Sequence, residues 1–268
     1  MCGIFGQVGV ARGFKYRTLM SALTVLNQSR GQDSTGMATL SSNGQARTFK
    51  RVVKPSRFIG LKKYKNLVRR QSDVTIGHTR AASVGGVTKG NAHPFTFDGV
   101  TGVHNGTVSN LQELTTHTGQ EFTSDSQHLL YSVANTGGVG PAAGGLNLAY
   151  WDTNWDNGPS LRLHRYNRPL AMAYVDMEDD REAVVFSSEL RHLRAACAIA
   201  ELDIMSAWGI ENFTQVDLFY DAKRGTVEID EVELALPEPK WPDYMMLDED
   251  EDPEISGGPS DIEVAWGV

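Results

Sequence analysis

A cysteine at position 2, followed by glycine, is the first place in this sequence where residue type and position together suggest chemistry. Initiator methionine is normally removed when the next residue is small, and its loss would leave Cys2 with both a thiol and a free α-amine. Such an amine has a pKa of about 7.7 to 8.0, so near neutral pH it can take the proton of its own side chain without help from a histidine. The thiolate is the reacting species, and a base that shuttles its proton lowers the barrier to attack on an amide. Taken alone, position 2 reads more simply as a small buried residue of a first strand. The second cysteine, Cys197, lies in RHLRAACAIA, where Leu193, Ala196, Cys197 and Ala200 recur at helical spacing, so a buried small hydrophobe is expected there. No CxxC, HExxH or DxDxDG spacing is present, so no metal site is expected, and thiol and amine chemistry at Cys2 would require no organic cofactor.

The elements that must position Cys2 can be read from apolar periodicity. CGIFGQVGV suits a buried strand, and Tyr16, Leu19, Met20, Leu23 and Leu26 fall on one face of a helix over Tyr16 to Ser29. Further strand-like runs are GMATL, VTIGHTR, VTGVHNGTV, LNLAYW, SLRLHRY, LAMAYVDM and AVVFSS. Helical runs are NLQELTTHTG, SDSQHLLYSVAN and ELRHLRAACAIAE, with Ser124 or Asp125 as the cap of the second. Many strands and a few long helices, not in strict alternation, predict an α+β layered fold and disfavour a doubly wound parallel sheet.

Charge is unevenly spread. From Pro237 to Val268 the chain has ten acidic residues and one basic residue, so this stretch alone accounts for more than the total of −8, and the other 236 residues come to +1. That division suggests a body over 2–236 and a proline-bearing, acidic, mobile tail over 237–268, whose Trp241, Tyr244, Met245 and Met246 form apolar islands. The near-neutral body suggests no basic stripe and hence no direct nucleic-acid binding. With 40% hydrophobic and 22% charged residues, no apolar run of membrane-spanning length and no basic start ahead of an apolar segment, a cytoplasmic protein without membrane attachment is expected. Two thiols in that compartment are expected to stay reduced.

The odds at Cys2 change when the other motifs are set beside it. CGIFG (Cys2 to Gly6), RGQDSTGMA (Arg30 to Ala38), GHTRAASVG (Gly77 to Gly85), NAHPF (Asn91 to Phe95), HNG (His104 to Gly106) and SDS (Ser124 to Ser126) occur in that order. Together they resemble the class II glutamine amidotransferase domain, the glutaminase half of glucosamine-6-phosphate synthase and of glutamine phosphoribosylpyrophosphate amidotransferase. AVVFSSELRHL (Ala183 to Leu193) also resembles the closing strand and helix of the glutaminase domain of asparagine synthetase. The resemblance covers about residues 2 to 200. It implies the four-layer αββα sandwich of the N-terminal-nucleophile hydrolases, and hydrolysis of L-glutamine to glutamate and ammonia through a γ-glutamyl thioester on Cys2.

It also implies roles for single residues. Asn105 and Gly106 would give the side-chain NH₂ and backbone N–H that hold the oxyanion, although Asn-Gly by itself is a hairpin-turn signal. Arg80 would grip the substrate carboxylate with a planar fork and Asp125 its ammonium group, where an isolated Arg and Asp would read as surface residues. Arg30 matches an arginine that holds the cysteine strand, and Ser83 keeps a hydroxyl near the substrate. His93 is expected to position a loop, since the α-amine already serves as base. The sequence departs from the glucosamine-6-phosphate synthase pattern GHTRWATHG at Ala81, Ser83 and Val84, which puts that branch's lid closure and synthase coupling in doubt. No phosphate-binding or sugar-isomerase signature follows residue 200, so the expected arrangement is a stand-alone domain whose ammonia goes to a synthase on a separate polypeptide. The competing expectation is a protein of the same fold that is non-catalytic, or acts on a different amide, and serves as a partner-binding module.

Overall fold

The computed structural model describes residues 1–154, 159–177 and 181–234. The 237–268 tail of the sequence reading lies outside the described residues.

The first strand, β1 (Gly3–Ala11), shows why the N-terminal run is apolar without alternation. Ile4 and Val8 point into one core and Phe5 into another, so both faces of the strand are covered. After β1 come α1 (Gly13–Leu26), a 3₁₀ turn over Asn27–Ser29, β2 (Ser34–Leu40), β3 (Ala46–Arg51), α2 (Pro55–Phe58), α3 (Lys62–Val68) and β4 (Ser72–Arg80). The middle of the chain forms β5 (Phe95–Phe97), β6 (Val100–Asn105), α4 (Leu111–Thr118), α5 (Asp125–Thr136), β7 (Asn147–Asp152) and β8 (Ser160–Arg165). It closes with β9 (Ala171–Met177), β10 (Arg181–Ser187), α6 (Leu190–Ile199), β11 (Ile204–Gly209), β12 (Thr214–Asp221) and β13 (Thr226–Glu233).

The strands form two antiparallel sheets. One runs β11-β9-β10-β1-β4-β2-β3 and the other β13-β12-β8-β7-β6-β5. Ile4, Val8, Val74, Ile76 and Val184 of the first sheet meet Val103, Ala149, Trp151, Leu163 and Leu218 of the second in a dry central layer. Residues of α1 and α6 cover the outer face of the first sheet through Tyr16, Leu19, Leu23, Leu193 and Cys197. On the far side α4 and α5 cover the second sheet through Leu114, Leu129 and Val133. The order helix, sheet, sheet, helix is the four-layer αββα sandwich, an α+β fold.

Cys197 is buried in the helical layer, and burial pushes its thiol up to about 12, far from a reactive state. The α5 cap differs from expectation. Ser124 occupies the N-cap position, but its hydroxyl lies 3.2 Å from the Gln127 side chain and makes no cap bond to the backbone. Sequence reading passed over β3, α2, α3, β5 and the three strands from Ile204 to Glu233, although β12 alternates buried and half-buried along its length. Among the described residues no helix is long and apolar enough to cross a membrane.

Candidate functional site

The site forms at one end of the sandwich because of how three strands run. β1 and β4 are antiparallel neighbours with Gly3 opposite Thr79, so the start of β1 lies beside the end of β4 and Cys2 meets the Arg80–Ala81 peptide. β6 in the facing sheet ends at Asn105 above them. Its fixed point is a hydrogen bond between the sheets: His78 Nε2–H of β4 donates to the His104 carbonyl of β6 at 2.9 Å. Burial, slightly offset by that bond, lowers His78 to about 3, so it stays neutral and keeps the proton this bond requires.

The Cys2 sulfur lies 3.4 Å from both the amide nitrogen and the carbonyl oxygen of Ala81. Burial pushes the thiol pKa up, while the Ala81 hydrogen bond, the N-terminal amine and Arg80 oppose that rise and Asp125 adds to it. Arg80 and Asp125 are therefore both close enough to act on the sulfur electrostatically. The Cys2 backbone N–H donates to Asn105 Oδ1 at 3.2 Å, across 103 residues of sequence. That contact fixes which end of the amide is the oxygen, and leaves Asn105 Nδ2 buried with no hydrogen-bond partner among the described residues.

Gly106 follows with φ at +156°, and a Cβ there would sit 1.8 Å from the Gly145 carbonyl oxygen. Only glycine fits so close an approach. His104 holds the same spot, its Nε2–H donating to Gly145 O at 2.9 Å while its Nδ1 lies 2.9 Å from Ser126 Oγ. The neighbour of that serine, Asp125, opens α5, where its Oδ2 accepts the Val108 N–H at 3.1 Å. So the Asn-Gly pair and the Asp125 carboxylate are tied to each other through His104, Ser126 and the 106–108 turn.

Arg80 is buried, and the loop after β4 wraps its guanidinium: the carbonyls of Val84, Gly85 and Gly86 accept from it at 2.6, 3.3 and 3.1 Å. Those three bonds leave donors over, Nε–H among them. Ser83 lies exposed on this loop. Asp33 secures the loop from the other side, accepting the Ala82 N–H at 2.8 Å. His93 is fully enclosed, stacked on His78 with ring centroids 4.0 Å apart, and burial holds it well below its usual pKa.

Arg30 is buried and donates from Nε to the Cys2 carbonyl at 2.8 Å, and from Nη1 to Glu189 Oε1 at 2.6 Å. Glu189 and Asp33 are supporting residues that sequence reasoning did not single out, although they lie inside the SSEL and RGQDSTG motifs. Burial alone would raise the Glu189 carboxyl, but its bonds with Arg30 and Arg191 outweigh burial and hold it below the ordinary range. A carboxyl depressed in the folded state adds stability that is present above its unfolded pKa of about 4.3 and is lost as pH falls through the folded value. Glu189→Gln should therefore cost about 2 kcal/mol at pH 7 and almost nothing in strong acid, as read from denaturant midpoints of variant and parent across pH. An undiminished difference in strong acid would rule out the ion pair as its source.

No protein-family model matches the chain. Among curated proteins it is 34% identical over 138 residues to glutamine--fructose-6-phosphate aminotransferase of Methanococcus maripaludis, covering 51% of this chain and 21% of that protein. It is also 34% identical over 139 residues to amidophosphoribosyltransferase of Escherichia coli, covering 48% of this chain and 26% of that protein. The matches thus span about a fifth to a quarter of these relatives' length. Among solved structures, glutamine phosphoribosylpyrophosphate amidotransferase from B. subtilis superposes with a TM-score of 0.65 at 16% identity, over 88% of this chain and 50% of the other. From shared sequence and shared fold together, this chain is a homologue of the class II glutamine amidotransferase domains, with the architecture of the N-terminal-nucleophile hydrolases.

Proposed function

We propose that the chain hydrolyses L-glutamine to glutamate and ammonia, with Cys2 as nucleophile once Met1 is removed. The observation that carries this reading is the placement of Cys2. Its nitrogen is held on Asn105 Oδ1 while its sulfur lies against the Ala81 peptide, with the buried and unpartnered Asn105 Nδ2 close by. Loss of Met1 turns the held nitrogen into an amine next to its own thiol. The thiolate attacks the δ-carbonyl, and the oxyanion is taken by Asn105 Nδ2 and the Gly106 N–H. Collapse of the tetrahedral adduct breaks the C–N bond, the α-ammonium protonates the leaving nitrogen, and ammonia departs from a γ-glutamyl thioester. Water activated by the amine then releases glutamate. Arg80, Ser83 and Asp125 bind the amino-acid end of the substrate, and Arg30 keeps the Cys2 carbonyl in place.

The reading further assigns the ammonia to a synthase on a separate polypeptide. β11 is an edge strand of the first sheet and β12 and β13 are the last two strands of the second, so the residues from Ile204 to Glu233 belong to the same sandwich as the site. The domain bounds 2–236 belong to the same proposal.

Intact-mass measurement beside an assay of glutamate release tests the function. A chain lacking Met1 should turn over free glutamine, and one retaining Met1 should not; a processed, folded chain that is inactive both alone and with co-purified proteins would sink the reading. Arg80→Lys keeps the charge but loses the fork. It should raise KM for glutamine by roughly 10- to 100-fold with a smaller change in kcat, as expected for one or two charge-assisted hydrogen bonds. An unchanged KM would take Arg80 out of the binding site.

A further inference from the structure

The near-neutral average of the body conceals one strongly segregated surface, which corrects the expectation of no basic stripe. Between Arg47 and Arg70 the chain has ten lysines and arginines and no acidic residue. These residues form β3, the edge strand of the seven-stranded sheet, and the short helices α2 and α3. Folding gathers Arg47, Lys50, Arg51, Lys63, Arg70 and Lys89 around a groove of about 520 Å³, with Phe49 and Leu67 in its wall.

Among the described residues none of these six cations forms an ion pair; the ion pairs described lie at Glu189, Asp217 and Asp221 with their arginines and His192, and at Glu228. Lys50 shows the crowding. Its Nζ donates to the Ala92 and Pro94 carbonyls at 2.6 and 2.9 Å, and burial followed by the nearby Lys89 lowers it to about 8. A groove lined by one sign of charge focuses the field and draws a counter-charge of the other sign.

That counter-charge exists in the same sequence. Asp248, Glu249, Asp250, Glu251 and Asp252 are consecutive, in a stretch with ten acids and one base from Pro237 onward. Covalent reach permits the encounter. β13, which ends at Glu233, packs against β10, and β10 lies four strands from β3 in its sheet. At about 4.8 Å per strand that is a lateral offset of roughly 19 Å, whereas the fourteen residues from Leu234 to Leu247 span up to about 48 Å. We infer that the basic groove beside β3 is the docking surface for the acidic run Asp248–Asp252 of the same chain. Tethering places the run at an effective concentration of the order of millimolar, so modest pairwise attractions suffice. A nucleic acid or an acidic partner that used this groove would first have to displace it.

A zero-length carbodiimide cross-linking experiment on the full chain, prepared as a mixture of ¹⁴N- and ¹⁵N-labelled protein, tests this directly. Lys63 and Lys89 should cross-link to residues 248–252 within single chains. The yield should collapse at 1 M salt, where the Debye length is about 3 Å. With Arg47→Glu and Arg70→Glu together, which leave both reactive lysines in place, the yield should fall about tenfold, with melting temperature confirming that the variant is folded. Absence of these cross-links, indifference to the two charge reversals, or mixed-isotope products showing docking between two copies would each overturn the inference. So would a labelled single-stranded oligonucleotide that binds the groove as tightly in the parent as in a chain whose five acids at 248–252 are changed to Asn and Gln.

Discussion

Replacing Cys2 by Ala should reduce glutamate and ammonia release from glutamine by about 10³-fold or more, because loss of a nucleophile removes the covalent route altogether. The change should leave the fold intact. Cys2 precedes β1 and is only partly buried, and its backbone N–H and carbonyl, which hold it to Asn105 and Arg30, survive the substitution. Cys197 supplies the internal contrast. It lies on α6, buried in the core that α6 shares with α1, with its thiol pushed up to about 12, so Cys197→Ala should cost about 1 to 2 kcal/mol of stability for the small cavity it leaves, with turnover unchanged.

A thiol-directed alkylating reagent should follow the same order, labelling Cys2 in the folded chain and Cys197 only on unfolding. The pH dependence has a definite sign. Burial raises the Cys2 thiol, so the reactive thiolate grows with pH. The α-amine must also be unprotonated to act as base, and its ordinary pKa is about 7.7 to 8.0. The free amine takes the thiol proton at the start of the cycle, so the parent rate should climb from pH 6 to pH 8 as the amine loses its own proton. Full turnover by Cys2→Ala, or a rate that falls over that window, would exclude the mechanism.

At Asn105 the expected loss is about 10² to 10³ in kcat, with KM changed little, since an oxyanion donor works mainly in the transition state. In the proposed mechanism Asn105 has two tasks that its two side-chain atoms divide. Oδ1 holds the Cys2 nitrogen and Nδ2 is the buried donor without a partner. Asn105→Ala removes both. Asn105→Asp keeps an acceptor for the Cys2 nitrogen but puts a negative charge where the oxyanion forms, so it should be at least as inactive as the alanine variant. Steady-state kinetics on both variants, beside melting curves, separate the tasks. An aspartate variant with near-parental kcat would show that Asn105 only holds the cysteine.

Much of this architecture was legible in the residue order. The helix over α1 follows from Tyr16, Leu19, Met20 and Leu23 at 3.6-residue spacing, and β1 and β4 from apolar runs bounded by polar residues. Apart from β12, whose alternation was there to be read, several of the elements that escaped reading have a diluted signal. β3, ARTFKR, and β13, TVEIDEVE, are edge strands exposed along much of their length, so burial imposes no apolar pattern on them. β11 lies at the other edge of the first sheet and is only half-buried. The basic groove escaped for a different reason. Averaging charge over the whole body cancelled ten clustered cations against acids scattered elsewhere.

The site divides in the same way. Sequence by itself pointed to Cys2 as the candidate nucleophile, and it marked Arg80, Asp125, Asn105 and Gly106 as its candidate companions because short motifs carry them. It could not say that Asn105 touches the Cys2 nitrogen with one atom and leaves the other unpartnered. Nor could it show that three loop carbonyls wrap Arg80, that Glu189 anchors Arg30, or that Ser83 is exposed on the loop. The Asn105–Cys2 and Arg30–Glu189 contacts join residues more than a hundred positions apart, and the first of them spans the two facing sheets. Packing of the sheets across one apolar layer sets the distances between them, and no local spacing in the chain encodes that distance.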